Sequence, residues 1–159
     1  MRSTTNRAMW GGVSDKPELS QRQWNMLAVP AIVLGVMAIL QLISFGKFKD
    51  WLDSAGIGWP AVVAVLVIIA ELLGSLSLLQ VGISRMWRWI GLTLGVIVTG
   101  FWFILNISQV TNASIAQGPN SGFCGDFLKQ APSWWTVLEI SILFFWVIYS
   151  AELLNWRKK

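Results

Sequence analysis

The sequence contains no histidine, a single cysteine and few charged residues, and each of these shortages excludes a class of protein. Without histidine, the chain cannot form a Ser-His-Asp hydrolase site or a zinc site that needs imidazole ligands. One cysteine cannot make a disulfide scaffold. Charged residues are 13% of the chain, against roughly 25% in an ordinary globular domain. A disordered chain is also excluded, because disorder requires low hydrophobicity and high charge.

Long apolar segments explain this composition. Hydrophobic residues make up 55% of the 159 residues, and the mean hydropathy is +0.59. Four apolar stretches cover residues 25–45, 59–80, 87–107 and 134–154. About 20 residues of helix cover ~30 Å, which is the thickness of the hydrocarbon core. Backbone groups in lipid must be paired within the segment. We therefore predict an all-α integral membrane protein, a four-helix bundle over residues 24–156.

The lysine and arginine residues lie mainly on one side of these four predicted spans. Three cations, at Lys47, Lys49 and Lys129, occupy the other side. Since cytoplasmic loops are enriched in cations, we predict that both termini are cytoplasmic in a multi-pass protein of the plasma or inner membrane. Residues 1–23 are then a polar cytoplasmic segment, 108–133 a long extracytoplasmic loop and 157–159 a basic tail. The nine cations of the first group are Arg2, Arg7, Lys16, Arg22, Arg85, Arg88, Arg157, Lys158 and Lys159.

This distribution along the membrane edges predicts membrane lipids as partners and argues against nucleic acid. Most of the eleven tryptophans fall near the predicted span ends, where indole rings are common. Trp102 and Trp146 lie deeper, and either core packing or a contact with a cofactor or partner would explain them.

The second and third spans each have one side suited to contact with protein. On the second span we predict that a side with small residues and a carboxyl group packs inward. It consists of Ala64, Ile68, Glu71, Gly74, Ser75 and Leu78, and the opposite, lipid-facing side consists of Val62, Val65, Ile69, Leu72, Leu73 and Leu76. The third span carries a comparable stripe, and its GxxxG pair predicts a helix-packing groove. That stripe consists of Gly91, Gly95, Thr99, Trp102 and Asn106.

Glu71 lies near the middle of the second span. An ionised carboxylate at the bilayer centre costs about 2.5–3.5 kcal/mol on insertion scales. The spans contain no lysine or arginine at that depth, so we expect Glu71 to be protonated and hydrogen-bonded to a neighbouring helix. Thr99 or a group on the first span is the expected partner. Two roles remain open for Glu71: an interhelical clasp, or a proton relay or ligand contact.

Four polar residues lie in the same half of the four spans, namely Gln41, Glu71, Asn106 and Glu139. They would either share a polar cavity or be independent interfacial residues. We take Glu71 and Glu139 as candidate catalytic groups that carry protons or contact a ligand. The candidate cofactor-binding residues are Gln41, Lys47, Trp102 and Asn106. No metal site is predicted.

The two loops between these spans differ in length. Residues 46–58 read as a short amphipathic interfacial turn, whereas the loop 108–133 is long and contains Cys124. No second cysteine exists in the chain, so Cys124 is a free or packed thiol or makes an intermolecular contact.

Residues 45–79, from Phe45 to Leu79, resemble the DoxX-like membrane proteins. The resemblance rests on Gly46-Lys47 after the first span and on Glu71-Leu72-Leu73-Gly74 within a Leu-rich second span. It implies a four-helix fold, and it implies a role near those of quinone-linked oxidation subunits and accessory proteins of redox systems. Within that resemblance, Lys47, Glu71 and Gly74 are the residues that correspond.

Three functions are compatible with the sequence. The first is a non-catalytic accessory subunit of a larger membrane redox or energy-converting complex, which would make other membrane subunits its partners. The second is a quinone-interacting oxidoreductase subunit in which Glu71 or Glu139 carries protons. The third is a small oligomeric transporter or channel. The residues themselves predict no cofactor, and a quinone or another lipid-soluble cofactor is compatible with them.

Overall fold

A computed structural model describes residues 19–80, 84–111 and 133–156. Within these ranges the chain forms five α-helices and no strand. The helices are α1 (Gln21–Ile43), α2 (Phe45–Ser54), α3 (Pro60–Leu78), α4 (Arg85–Thr111) and α5 (Trp134–Trp156). Four of them, all except α2, are long and apolar enough to span a membrane, which confirms the prediction of an all-α, multi-pass membrane protein. Residues 1–18, Cys124, Lys129 and the tail 157–159 lie outside the described residues, and the cytoplasmic position of the termini stays a prediction.

Two of the helices extend beyond their predicted apolar stretches. α1 begins at Gln21 because Ser20 and Gln23 form a capping box. The Gln23 N–H donates to Ser20 Oγ at 3.4 Å, and the Ser20 N–H donates to Gln23 Oε1 at 3.2 Å. These bonds pair N–H groups that a helix start otherwise leaves exposed. α4 continues to Thr111, so the first residues of the predicted loop 108–133 are helical.

The segment predicted as an interfacial turn is the ten-residue helix α2. Phe48 and Leu52, four residues apart, are fully buried, while Lys47 and Asp50 are exposed. Side chains four residues apart share one face of a helix, so α2 lies with one apolar face on the bundle. The segment is amphipathic as predicted. Its amphipathic pattern is that of a helix, because the buried Phe48 and Leu52 are four residues apart.

The four long helices form a closed arrangement in which α3 contacts α1 and α4, and α5 contacts α4 and α1. The two predicted sides of α3 are confirmed. All six inward residues are buried, whereas the opposite side is exposed or half-buried. The stripe on α4 is likewise buried throughout. The exposed apolar side chains on the outside of the bundle are those expected to face lipid.

Glycine and serine residues bring α3 and α4 into close contact. A Cβ added at Gly74 would stand 2.9 Å from the Cα of Gly95, and one at Gly91 would overlap Ser77. Real Cβ atoms do not approach backbone that closely, so only glycine fits at these positions. The predicted packing groove around Gly91 and Gly95 is therefore the α3–α4 interface, as expected for small residues in membrane helices.

Proline in α1 produces a specific contact with α5. Pro30 lies inside α1 and has no N–H, so the carbonyl of Met26, four residues earlier, has no helical donor. The Trp146 Nε1–H donates to this carbonyl at 2.9 Å. The deep position of Trp146 is thus explained by a hydrogen bond between helices, since an indole N–H usually finds a partner when it is buried.

Candidate ligand site around Glu71

Glu71 joins three helices through one of its carboxyl oxygens. Its Oε1 accepts a hydrogen bond from Gln41 Nε2 of α1 at 3.2 Å and another from Trp102 Nε1 of α4 at 2.8 Å. All three side chains have an exposed fraction of 0%. A buried carboxyl group needs hydrogen-bond donors, because a polar group that is removed from water without a new partner destabilises the fold.

The positions of these residues in their helices explain why they meet. Gln41 lies two residues before the end of α1, and Trp102 lies nine residues before the end of α4. Glu71 is eleven residues from the start of α3, or roughly 16 Å along the helix at 1.5 Å per residue. Gln41 and Trp102 lie towards the end of the bundle at which α1 ends and α3 begins, whereas Glu71 lies just past the middle of α3. The long side chains of glutamine and tryptophan bridge the remaining distance to the carboxyl group.

Some buried oxygen atoms in this region have no hydrogen-bond partner among the described residues. They include Glu71 Oε2 and Asn106 Oδ1. Asn106 lies one turn beyond Trp102 on α4, and its Nδ2 donates to the Trp102 carbonyl at 2.9 Å. A buried polar atom without a partner costs about 1–3 kcal/mol. Both of these oxygens therefore have the capacity to bind a polar ligand.

Aromatic rings from α2 pack on the same tryptophan. The ring of Trp102 lies 6.0 Å from that of Phe48 and 5.7 Å from that of Trp51, measured between centroids. Offset ring pairs at such distances stabilise beyond the area that they bury, by about 0.5–1.5 kcal/mol. α2 thus covers the Glu71 cluster with apolar rings, and these rings would lie next to any molecule bound there.

Of the two hydrogen-bond partners predicted as alternatives for Glu71, one is observed. The expectation of a group on the first span is met by Gln41. Thr99 instead donates to the carbonyls of its own helix, Gly95 and Val96, at 2.8 and 3.1 Å. Sequence reasoning did not identify Trp102 as a donor to Glu71. The signal that could have found it is its place on the inward stripe of α4, because a buried indole N–H needs an acceptor.

The four polar residues considered together in the sequence do not all meet. Gln41 and Glu71 are hydrogen-bonded, and Asn106 is buried one turn from Trp102. Glu139 lies on an exposed face of α5 and Lys47 on the exposed face of α2, so neither belongs to the buried cluster. The cluster therefore contains one of the two candidate proton carriers and three of the four candidate cofactor-binding residues.

No family model, no curated protein and no solved structure matches the chain. The fold defines it as a small multi-pass membrane protein, with a carboxyl group buried between three of its spans.

Proposed function

We propose that this protein binds a quinone, or a related lipid-soluble carbonyl compound, at Glu71 as a small subunit of a membrane redox system. One observation carries the proposal. Both hydrogen-bond donors to the buried Glu71 carboxyl converge on Oε1, and the second oxygen has no partner among the described side chains. A site for a small molecule in a bundle typically combines apolar walls with few polar groups.

The hydrogen-bonding capacity of the cluster suits a quinone headgroup. A protonated Glu71 would accept from Gln41 and Trp102 at its carbonyl oxygen and keep the hydroxyl at Oε2 as a donor. That hydroxyl would donate to a quinone carbonyl. Asn106 Oδ1 is an acceptor, so it would take a hydrogen bond from a quinol hydroxyl. The rings of Phe48 and Trp51 would pack on the planar headgroup.

The resemblance of residues 45–79 to DoxX-like proteins supports the same proposal. Glu71, the residue carried over from that resemblance, is also the residue at the centre of the buried cluster. A subunit that binds a quinone without its own electron carrier would depend on other chains for electrons. The accessory-subunit hypothesis and the quinone hypothesis thus meet in one proposed role, that of a quinone-binding membrane subunit.

Bound quinone in protein purified from its native membrane tests this proposal. Mass spectrometry of the lipid extract should find quinone at a stoichiometric level in the parent. Glu71→Leu should lose it, because the variant has no donor for the carbonyl. Glu71→Gln keeps a donor, so it should retain quinone while proton-coupled turnover of the complex falls.

Glu139→Gln is the matched control, since Glu139 is exposed on α5, and it should retain both quinone and turnover. Equal quinone in the parent and in folded Glu71→Leu would contradict the proposal. Native mass spectrometry of the same samples separates the other hypotheses. A stable complex without quinone would favour a purely accessory subunit, and a homo-oligomer that conducts a solute would favour a transporter.

A further inference from the structure

A second buried polar group lies at the opposite end of α3 and α4 from the Glu71 cluster. Gln80 and Arg88 flank the connection between these helices, yet their exposed fractions are only 7% and 8%. Gln80 Nε2 is buried and has no hydrogen-bond partner in the part of the chain that the structure describes. An amide donor held in this way calls for an acceptor.

The packing of α3 on α4 places these two residues at the same end of the interface. Gly91 lies against Ser77, since a Cβ at Gly91 would overlap the serine side chain. The two helices run in opposite directions. Three residues further along are Gln80, two residues past the end of α3, and Arg88 in the first turns of α4. Both residues therefore lie at the same end of the α3–α4 interface.

The backbone at Gln80 adopts a left-handed conformation. Gln80 has a φ of 51°, in the left-handed region that costs a residue with a side chain roughly 1–2 kcal/mol. Glycine is the usual residue at this position after a helix. The side chain of Gln80 nevertheless turns inward and is buried. A buried amide donor thus stands at a position where the usual glycine would have no side-chain donor.

The surroundings show at which depth of the membrane the pair lies. Met86, Trp87 and Trp89, in the first turns of α4, are exposed. Exposed indole rings at a helix end mark the headgroup level of a bilayer. The N–H groups in the first turn of α4 and the positive end of its dipole also favour an anion there. Phosphate is the anion that is abundant at this level.

We propose that Gln80 and Arg88 form a binding site for a phosphate group, that of an anionic lipid headgroup, between α3 and α4. The Arg88 guanidinium forms charge-assisted hydrogen bonds with the phosphate oxygens, and the Gln80 amide donates a further one. Arg88 also has contacts within the chain, but a guanidinium carries several N–H donors in a planar fork. Basic pockets between membrane helices bind anionic headgroups in the same way.

Lipid retention in nanodiscs tests this site. The probes are phosphatidylglycerol and phosphatidylcholine in equal amounts, with inorganic phosphate as a soluble competitor. Native mass spectrometry of the ejected protein should show phosphatidylglycerol retained over phosphatidylcholine. Arg88→Gln should lower that preference roughly tenfold, because it removes a charge-assisted hydrogen bond. Arg22→Gln is the control, since Arg22 is an exposed cation at the same end of the bundle.

Gln80→Glu keeps the test decisive if Arg88→Gln fails to fold. The new carboxylate has nearly the size of the amide and lies at the same end of the interface as the Arg88 cation, so the protein should fold while the carboxylate repels the phosphate. Loss of phosphatidylglycerol from Gln80→Glu but not from Arg22→Gln supports the site. Release of the lipid by millimolar inorganic phosphate also supports a phosphate site and assigns it to a soluble anion. Equal losses from Arg22→Gln and Arg88→Gln, or no preference in the parent, would overturn the proposal.

Discussion

The two halves of the α3–α4 interface are built from opposite kinds of residue. In the half next to the short connection between the helices, Gly74, Gly91 and Gly95 bring the backbones into contact. In the other half, the large side chains of Glu71 and Trp102 meet through a hydrogen bond of 2.8 Å. One half is held by close packing, and the other by a polar contact that also reaches α1.

This difference shows what each kind of contact provides in a membrane. Lipid is as apolar as the helix surfaces, so association there relies on van der Waals packing and on hydrogen bonds. Glycine contacts supply the packing but offer no chemical group. The Glu71 half supplies chemical groups, and its cost is buried oxygens without partners among the described residues, Glu71 Oε2 among them. The Glu71 half therefore offers a binding capacity that the glycine contacts themselves lack.

The largest effect is expected from a methyl group in the glycine half. Gly91→Ala forces the new Cβ against Ser77 and the Leu73 carbonyl, and overpacking of this kind costs about 1–3 kcal/mol. Unfolding in mixed micelles should show that loss in free energy of unfolding. Gly46→Ala on α2 is the control, because a Cβ there would meet nothing within 4 Å. Equal stability of the two variants would show that the backbones are not in contact.

The next effect concerns the acceptor of the polar half. Glu71→Leu leaves the buried donors of Gln41 and Trp102 without the Oε1 acceptor, at a cost of about 1–2 kcal/mol. Glu71→Gln retains an acceptor oxygen and should lose less. The measurement is the same micelle unfolding, with Glu139→Leu on the exposed face of α5 as control. A loss in Glu139→Leu as large as in Glu71→Leu would contradict the clasp.

A smaller effect should follow from removing one donor while keeping the ring. Trp102→Phe removes the indole N–H that donates to Glu71 but keeps an aromatic group beside Phe48 and Trp51. We expect a loss of about 1 kcal/mol in the free energy of unfolding. Trp134→Phe, at an exposed position on α5, should cost nothing measurable. If Trp102→Phe also leaves the free energy of unfolding unchanged, packing alone stabilises this half of the interface.

The smallest effect is expected at the α1–α5 contact, which lies outside both halves. Trp146→Phe removes the hydrogen bond to the Met26 carbonyl, worth about 0.6 kcal/mol by membrane-protein precedent. Pro30→Ala restores a helical N–H for that carbonyl, so Trp146→Phe should cost less in that background. A double-mutant cycle measures this coupling. A coupling energy of zero would mean that Trp146 does not stabilise the Met26 carbonyl that Pro30 leaves without a helical donor.

The spans and their inward faces could be predicted from the sequence because they follow from local periodicity. The side of α3 that includes Ala64, Glu71 and Gly74 is buried as predicted, since each residue's direction depends only on its helical position. The depth of Glu71 similarly predicted a hydrogen bond between helices. These conclusions require knowledge of one helix at a time.

The partners of Glu71 could not be predicted in the same way. Thr99 and Trp102 share a stripe on α4, and the choice between them depends on the rotation and axial offset of α4 against α3. The contact of Gly74 with Gly95 fixes that offset, but the sequence offers several small residues that could have paired. The position of Glu139 outside the cluster likewise follows from the rotation of α5, whose apolar residues leave no single preferred face.

The hydrogen bond from Trp146 to Met26 has a consequence for the order in which the protein is made. α1 leaves the ribosome first and α5 last, so the carbonyl freed by Pro30 lacks its indole donor throughout the insertion of the intervening helices. Until α5 arrives, that carbonyl faces the surface against which the last helix docks. The nascent chain therefore exposes an unpaired carbonyl group on α1 until α5 has docked. Membrane quality-control proteases could recognise chains that stop before α5 by this unpaired carbonyl.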